Sequence, residues 1–343
     1  MKKSYLILLV IAFSCVEPIE VEIPDETPNL LVVEGGITTT EGPHRIELSN
    51  TAKYGSIFEG FITRETGARV SIRDNFGKVE ILTEIFDGVY ETSNEFKAVV
   101  GNSYSLQILT RSGTEYFSTP EEVVKVAEID SLSVSFEEKI SSNPLQPTTG
   151  IQVYANFSDD VDESNYYLWR YTGVFQVNAN PELNLDPETG ALAPLDCCET
   201  CWAREFGIAP NIFSDRANNG DKITRPVAFI EDDGVRFGDK YLVVLSQLSV
   251  TSKAYDFLQL VEQQLNIKGD IFDPPPATVR GNIINLDNPN ESVIGYFRAS
   301  DVRIDSIFIE RKSYSEFVTP AVIRGDCRNY TPNATTDKPS FWF

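Results

Sequence analysis

The chain has 343 residues, of which 51 are Asp or Glu and 29 are Lys or Arg, giving a formal net charge of −22 at pH 7 and a pI near 4.4. This acidity excludes a nucleic-acid-binding protein, because too few cations remain to neutralise phosphates, and it excludes electrostatic adsorption to an anionic membrane. Aromatic residues make up 11% of the chain, and short alternating runs of Val, Ile, Thr and Tyr predict a mainly β protein of two domains.

The first fifteen residues have the order of a lipoprotein signal. Lys2 and Lys3 precede an uninterrupted apolar run over residues 5–13, and Cys15 follows closely. The run is shorter than the roughly 20 residues that a spanning helix needs, so residues 1–14 are predicted to be a signal peptide that is removed. We expect Cys15 to become the lipidated N-terminus; the alternative is an ordinary core cysteine.

Residues 15–29 are acidic, contain proline and lack a core pattern. They predict a lipidated tether that holds the folded part away from the membrane. Acidic residues so close to a lipidated cysteine resemble an export tag of outer-membrane lipoproteins that reach the cell surface, and a plain solvated linker explains the same residues. Membrane attachment is expected to come from multiple acylation, because a single lipid chain anchors weakly.

Residues 30–126 predict an N-terminal antiparallel β-sandwich domain. Short alternating runs are separated by turns that contain Gly, Asn and Asp, which is typical of successive strands with tight connections. The predicted strands cover residues 30–37, 44–48, 68–73, 79–84, 89–91, 103–110 and 115–118. The domain boundary is expected near residue 127.

Residues 127–343 predict a C-terminal β-rich, sandwich-like domain with one helix. Its strands are expected at residues 129–136, 151–157, 166–177, 227–231, 241–249, 279–283, 293–299 and 306–310. The helix is predicted over residues 252–265, because Thr251 or Ser252 can cap it and apolar residues recur on one face. Residues 178–206 have little periodicity and contain a cysteine cluster.

Four cysteines remain beyond Cys15: Cys197, Cys198, Cys201 and Cys327. An even number in an exported protein predicts two disulfides, for which three pairings are possible. A bridge from the cluster to Cys327 would close a long loop and stabilise the fold by about 4–5 kcal/mol. The C-x-x-C spacing leaves a structural zinc as the alternative, although adjacent cysteines ligate one ion poorly.

No catalytic motif or cofactor-binding fingerprint is found in the sequence. His44 is the single histidine, and its place early in a strand predicts a half-buried or exposed structural residue. With 51 carboxylates, chance pairs are unavoidable and indicate little. Asp159, Asp160 and Asp162 are weak calcium candidates, since oxygen ligands cluster there, but the run lacks the central Gly and closing Glu of the twelve-residue calcium loop. A solvated turn is the alternative.

Aromatic side chains supply the weak ligand-binding candidates, which are Tyr167, Trp169, Tyr171 and Trp202. The first three share one strand face by the period of two. Such a stripe is more typical of a core than of a binding platform.

Besides the signal, several segments follow one another in a characteristic order: residues 31–35 (LVVEG), 196–202 (DCCETCW), 254–257 (AYDF), 272–274 (FDP), 280–283 (RGNI), 293–297 (VIGYF) and 338–342 (KPSFW). Taken in this order, they resemble the domain-of-unknown-function 4249 lipoproteins of Bacteroidota. The resemblance implies an outer-membrane lipoprotein that acts with a TonB-dependent receptor, as an accessory or ligand-capturing partner in nutrient uptake. It implies a structural role for the four cysteines and supplies no catalytic residues.

The leading hypothesis is therefore a non-enzymatic, lipid-anchored surface protein without a cofactor. The alternatives are a surface hydrolase that uses a carboxylate pair and a structural or adhesive module. The hydrolase requires two carboxylates that converge in a cleft, whereas the adhesive module requires flat exposed sheets.

Overall fold

The computed structural model describes residues 30–51, 63–140, 147–158, 165–207, 209–216, 220, 222–267 and 279–343. Within these ranges, 21 strands form four sheets and one α-helix, α1, covers Ser252–Leu265. The strands are β1 Leu31–Thr38, β2 Arg45–Asn50, β3 Thr63–Arg64, β4 Arg69–Asp74, β5 Val79–Ile81, β6 Thr83–Phe86, β7 Val89–Glu91, β8 Ser103–Leu109, β9 Glu115–Ser118, β10 Glu121–Glu122, β11 Ile129–Lys139, β12 Thr148–Ser158, β13 Tyr166–Asn180, β14 Thr200–Phe206, β15 Asn211–Ser214, β16 Lys222–Glu231, β17 Lys240–Ser249, β18 Ile283–Asn285, β19 Ile294–Ser300, β20 Val302–Glu310 and β21 Ile323–Arg324.

Sheets 1 and 2 enclose the first core. Sheet 1 has the order β19-β1-β2-β7-β6 with β3 beside β2, and sheet 2 has the order β18-β9-β8-β4-β5 with β10 beside β8. Their inner faces carry an apolar residue at every second position, including Val33 and Leu48 in sheet 1 and Ile72 and Leu106 in sheet 2. This period of two turns one face of each sheet inward and leaves the other face free.

Sheets 3 and 4 enclose the second core. Sheet 3 has the order β11-β12-β16, and sheet 4 has the order β14-β13-β17-β20 with β15 and β21 beside β13. Val153 and Phe157 of sheet 3 pack in the same core as Trp169 and Val243 of sheet 4. Strand pairs are antiparallel apart from β1–β19 and β13–β21. The predicted class is confirmed: the fold is mainly β, with several antiparallel sheets in a sandwich-like arrangement and one helix.

Helix α1 covers part of the outer face of sheet 4. The Thr251 hydroxyl caps it by accepting a 3.2 Å hydrogen bond from the Ala254 amide, as the sequence predicts. Ala254 and Leu258 are buried against outer-face residues of sheet 4, among them Leu248. The helix therefore forms a wall beside part of that face, and Trp342 of the C-terminal segment packs on another part, against Val174 and Leu242.

Several predicted segments differ from the structure. The strand predicted at 79–84 is divided into β5 and β6, and the strand predicted at 227–231 begins at Lys222. Residues 200–206, expected to be irregular, form β14, an edge strand that pairs with β13 and buries the small residues Cys201 and Ala203 at alternate positions. The strand expected at 279–283 begins only at Ile283. The backbone of Gly281 crosses close to that of Gly295, where an added Cβ would lie 1.4 Å from the carbonyl oxygen. Next to this crossing, the Asn282 carbonyl accepts a 2.8 Å hydrogen bond from the Thr119 amide.

Strands β18 and β19 pair with strands from the N-terminal part of the chain. Ile283 is in register with Ser118, and Ile294 is in register with Val32. The predicted division into domains 30–126 and 127–343 stays a prediction, and these pairings add residues 283–300 to the two N-terminal sheets.

In the part of the chain that the structure describes, no helix has both the length and the apolar composition needed to cross a membrane. The predicted signal peptide, the lipidation site Cys15 and the tether at 15–29 lie outside the described residues. So do the calcium candidates Asp159, Asp160 and Asp162.

Candidate ligand-binding cleft

An open cleft with a volume of about 1120 Å³ lies between the outer faces of sheets 1 and 4, and α1 forms one of its sides. Sheet 1, sheet 4 and the helix each contribute residues, among them Val32, Arg298, Arg170, Ser246, Val261 and Leu265. A volume of this size is enough for a drug-sized organic molecule.

The alternation of each strand determines which side chains reach the cleft. In β1, Val33 is buried in the first core, so Val32 and Glu34 lie on the opposite, cleft-facing side. In β13, Trp169 is buried in the second core, so Arg170 lies on the outer face. Both cores thus orient the cleft residues, because neither strand can turn over without exposing its apolar side.

Strand register brings polar residues to the centre of the two faces. Arg170 of β13 is in register with Ser246 of β17, and Ser246 is in register with Ile304 of β20. On the facing sheet, Arg298 of β19 is in register with Gly36 of β1. The glycine carries no side chain that could cover the arginine, so the face beside Arg298 stays open.

Arg170 and Arg298 have no ion-pair or hydrogen-bond partner for their side chains among the described residues. Arg170 is exposed to the cleft, and Arg298 is half-buried in it. Desolvation inside the concave cleft lowers the pKa of Arg170, and the negative charge of Glu34 partly offsets this decrease. Burial, and next the positive charge of Arg170, lower the pKa of Arg298 to about 9. The two cations therefore lie within electrostatic reach of one another and repel.

Two other charged residues that line the cleft, Arg45 and Glu47, are already in ion pairs. Arg45 forms an ion pair with Glu91 at 2.8 Å, and Glu47 forms an ion pair with Arg64 at 3.0 Å. Glu34 lies opposite Glu47 in the β1–β2 register. These pairs leave the two arginines as the cleft-lining cations that lack a carboxylate partner in the described structure.

A buried carboxylate supports the floor of the cleft. Glu121, 2% exposed, accepts hydrogen bonds from the Tyr296 hydroxyl at 2.6 Å and the Thr251 hydroxyl at 2.8 Å. Burial raises the pKa of Glu121, and these hydrogen bonds counteract the rise. Because Tyr296 and Arg298 are both on β19, and Thr251 caps α1, Glu121 connects the arginine strand to the helix wall.

The predicted aromatic candidates are mostly core residues. Tyr167 and Trp169 are each 1% exposed, so neither can contact a ligand from solvent. Their rings stack with centroids 5.7 Å apart inside the second core. Tyr171 is half-buried and borders the cleft. Trp202 is half-buried and packs near Trp342, away from the cleft lining.

The four cysteines lie at bonding distance in two pairs, Cys197 with Cys198 and Cys201 with Cys327. Both pairs are disulfides, as predicted, and the second ties β14 to the C-terminal segment. Asp326 lies within ligand distance of both pairs. With all four sulfur atoms in S–S bonds, no thiolate remains to hold a zinc ion there.

His44 is buried at 8% exposure rather than half-buried or exposed. Burial lowers its pKa, and its ring packs edge-on against Phe96 with centroids 5.9 Å apart. It lies outside the lining of the cleft. The side chain therefore belongs to the core packing of the first sandwich.

Both sandwiches and the cleft between them define a mainly β, sandwich-like protein. The family model for a domain of unknown function (DUF4249) matches residues 16–305. The chain belongs to this family. No curated protein matches the chain. The matched region includes every residue that lines the cleft as well as helix α1.

The sequence-based prediction did not find Arg170 or Arg298. The signal for Arg170 is present in its strand, since a charged residue between Trp169 and Tyr171 must face away from the aromatic side. For Arg298, the corresponding position lies between the buried Phe297 and Ala299. What the alternation does not reveal is that these two outer faces approach each other.

Proposed function

We propose that this protein is a non-enzymatic, lipid-anchored outer-membrane protein that faces outward and captures a ligand for a TonB-dependent nutrient receptor. The observation that carries ligand capture is the cleft, in which Arg170 and Arg298 have no ionic partner among the described residues. A cation held in a concave site without a counter-ion is a ready recognition group for an anion.

The sequence supports the anchor and the location. Residues 1–15 contain two lysines, then an apolar run and then Cys15, and this order predicts lipid attachment at Cys15. The acidic tether at residues 15–29 predicts that the folded part is held away from the membrane. The receptor partnership rests on the resemblance to the Bacteroidota lipoproteins of the family.

The test is a gentle-detergent pull-down of the tagged protein from its own membranes, with identification of the co-purifying proteins. A stoichiometric TonB-dependent receptor is the expected result. The control is Cys15→Ala, which removes the lipid site and leaves the folded chain unchanged, and which we expect to lose membrane attachment. A wild-type protein that purifies alone would contradict the partnership and favour a structural or adhesive module.

A carboxylate-based hydrolase is the second candidate, because Glu34 and Glu47 lie opposite each other and both line the cleft. Cross-strand neighbours can place two carboxyl groups about 5 Å apart, as a retaining glycosidase requires. The ion pair of Glu47 with Arg64 occupies one of the two, which makes this the weaker proposal. Release of nitrophenol from nitrophenyl glycosides that is lost in both Glu34→Gln and Glu47→Gln would support it.

A further inference from the structure

Two arginines from different sheets face the same cleft, and apolar side chains of α1 and the strand faces surround them. We propose that Arg170 and Arg298 together bind the carboxylate of an amphiphilic organic anion whose apolar body lies along helix α1. This inference rests on the proposed ligand capture and specifies the chemical class of the ligand.

Electrostatics favour an anion between the two arginines. Burial and the charge of Arg170 both disfavour the cationic form of Arg298, as its lowered pKa shows. Glu34 and the buried Glu121 attract the arginines, but neither forms an ion pair with them. A bound anion would offset the repulsion and restore charge-assisted hydrogen bonds, whereas a neutral ligand would leave both cations desolvated and unpaired.

The geometry of the side chains favours a carboxylate. Each guanidinium is planar and presents parallel N–H donors that match the two oxygens of a carboxylate. The arginines come from opposite walls of the cleft and the charge of Arg170 acts on Arg298, so the proposal places one head group between them. Phosphate shares part of this chemistry and is therefore separated from carboxylate in the test below.

Apolar residues around the arginines give the ligand its second part. Leu265 of α1 is 60% exposed and Ile304 of β20 is 56% exposed, and both line the cleft. Val32, Val261 and Ile294 extend the same apolar lining. Large apolar side chains that stay exposed inside a concave site are typical of a binding surface, because a ligand can remove them from water.

The test uses the purified full-length protein and isothermal titration with decanoate. We expect decanoate to bind, and acetate to show no measurable binding because it lacks the apolar body. Decyltrimethylammonium, which has the same chain and the opposite charge, should bind at least tenfold more weakly. Each of Arg170→Gln and Arg298→Gln should weaken decanoate binding about tenfold or more, since each removes a charge-assisted interaction. The double variant should weaken it about a hundredfold.

Arg73→Gln is the matched control, because Arg73 is exposed on sheet 2, away from the cleft, and should leave decanoate binding unchanged. Neither arginine is held by an ion pair or a side-chain hydrogen bond among the described residues, so the cleft variants should stay folded under the titration conditions, which urea unfolding checks. Equal binding of decanoate by wild type and double variant would overturn the proposal, as would equal binding of decyltrimethylammonium. Decyl phosphate binding more than tenfold tighter than decanoate would replace carboxylate by phosphate.

The pull-down separates this proposal from the proposed function. A receptor that co-purifies with a protein unable to bind decanoate would leave the partnership intact and overturn the ligand class. Decanoate binding that depends on both arginines, in a protein that brings no receptor, would support the ligand class and contradict the partnership.

Discussion

The hydroxyl of Tyr296 donates a 2.6 Å hydrogen bond to the buried carboxylate of Glu121, and this bond joins two distant parts of the chain. Glu121 belongs to β10 in sheet 2, whereas Tyr296 belongs to β19 in sheet 1. The same carboxylate accepts from Thr251 at the start of α1. One buried acid therefore fixes the relative positions of the helix and the strand that carries Arg298.

Glu121 should make stability depend on pH. Burial raises the pKa of its folded-state carboxyl above the ordinary value of 4.5. At pH values between 4.5 and the raised folded-state pKa, the folded protein binds more protons than the unfolded chain. The stability that protonated Glu121 contributes is therefore fully present below pH 4.5 and is lost as pH rises through the folded-state pKa. We expect Glu121→Gln to become progressively more stable relative to wild type as pH rises from 4.5, measured by urea unfolding at several pH values.

The neighbouring Glu122 supplies the control, because it is exposed on the same short strand. Glu122→Gln should keep the pH profile of wild type. A constant difference in unfolding free energy between Glu121→Gln and wild type across the pH series would contradict the effect of burial on this acid.

Gly281 should not tolerate a side chain. An added Cβ would lie 1.4 Å from the carbonyl oxygen of Gly295, so the two backbones would have to separate. We expect Gly281→Ala to lower the unfolding free energy by about 3 kcal/mol, at the upper end of the cost of overpacking. Gly113→Ala is the comparison: its φ of +95° strains a side chain, but nothing lies within 4 Å. It should cost about 1–2 kcal/mol. Equal losses of unfolding free energy in Gly281→Ala and Gly113→Ala, measured by guanidinium unfolding, would refute the close approach of the Gly281 and Gly295 backbones.

The disulfide between Cys201 and Cys327 should carry most of the stabilisation by cross-links. It spans 126 residues, so its removal frees a long loop in the unfolded chain and should cost about 5 kcal/mol in the chain-entropy model. The bridge between Cys197 and Cys198 joins adjacent residues and constrains almost no loop. We therefore expect the double variant C201A/C327A to unfold at much lower guanidinium concentration than C197A/C198A. Similar midpoints for the two double variants would show that loop closure is not the source of the stability.

Local patterns predicted individual elements better than they predicted the site. The helix at Ser252–Leu265 was predicted from its cap and its apolar face, both of which are local. Strand β14 was missed because its inward-facing positions are the small residues Cys201 and Ala203, which give only a weak apolar alternation. The cleft depends on β19 pairing in parallel with β1, from opposite ends of the chain, and no local pattern contains that pairing. Arg170 and Arg298 could therefore be assigned to faces from sequence, but not brought together.

Trp169 is buried in the second core, where its indole N–H is hydrogen-bonded. Its indole N–H donates to the Gln247 side-chain oxygen at 2.9 Å, and the amide of Gln247 donates to the Ala127 carbonyl at 2.8 Å. Trp169→Phe and Gln247→Leu each leave a buried polar group without its partner, which costs about 1–3 kcal/mol. Because the double variant loses both partners of the indole bond, its cost should fall below the sum of the single costs by about 1 kcal/mol.

Trp202 provides the matched cycle, since its indole N–H has no partner among the described residues. Trp202→Phe and Gln247→Leu should be additive in urea unfolding, and equal coupling in both cycles would contradict the assigned hydrogen bond.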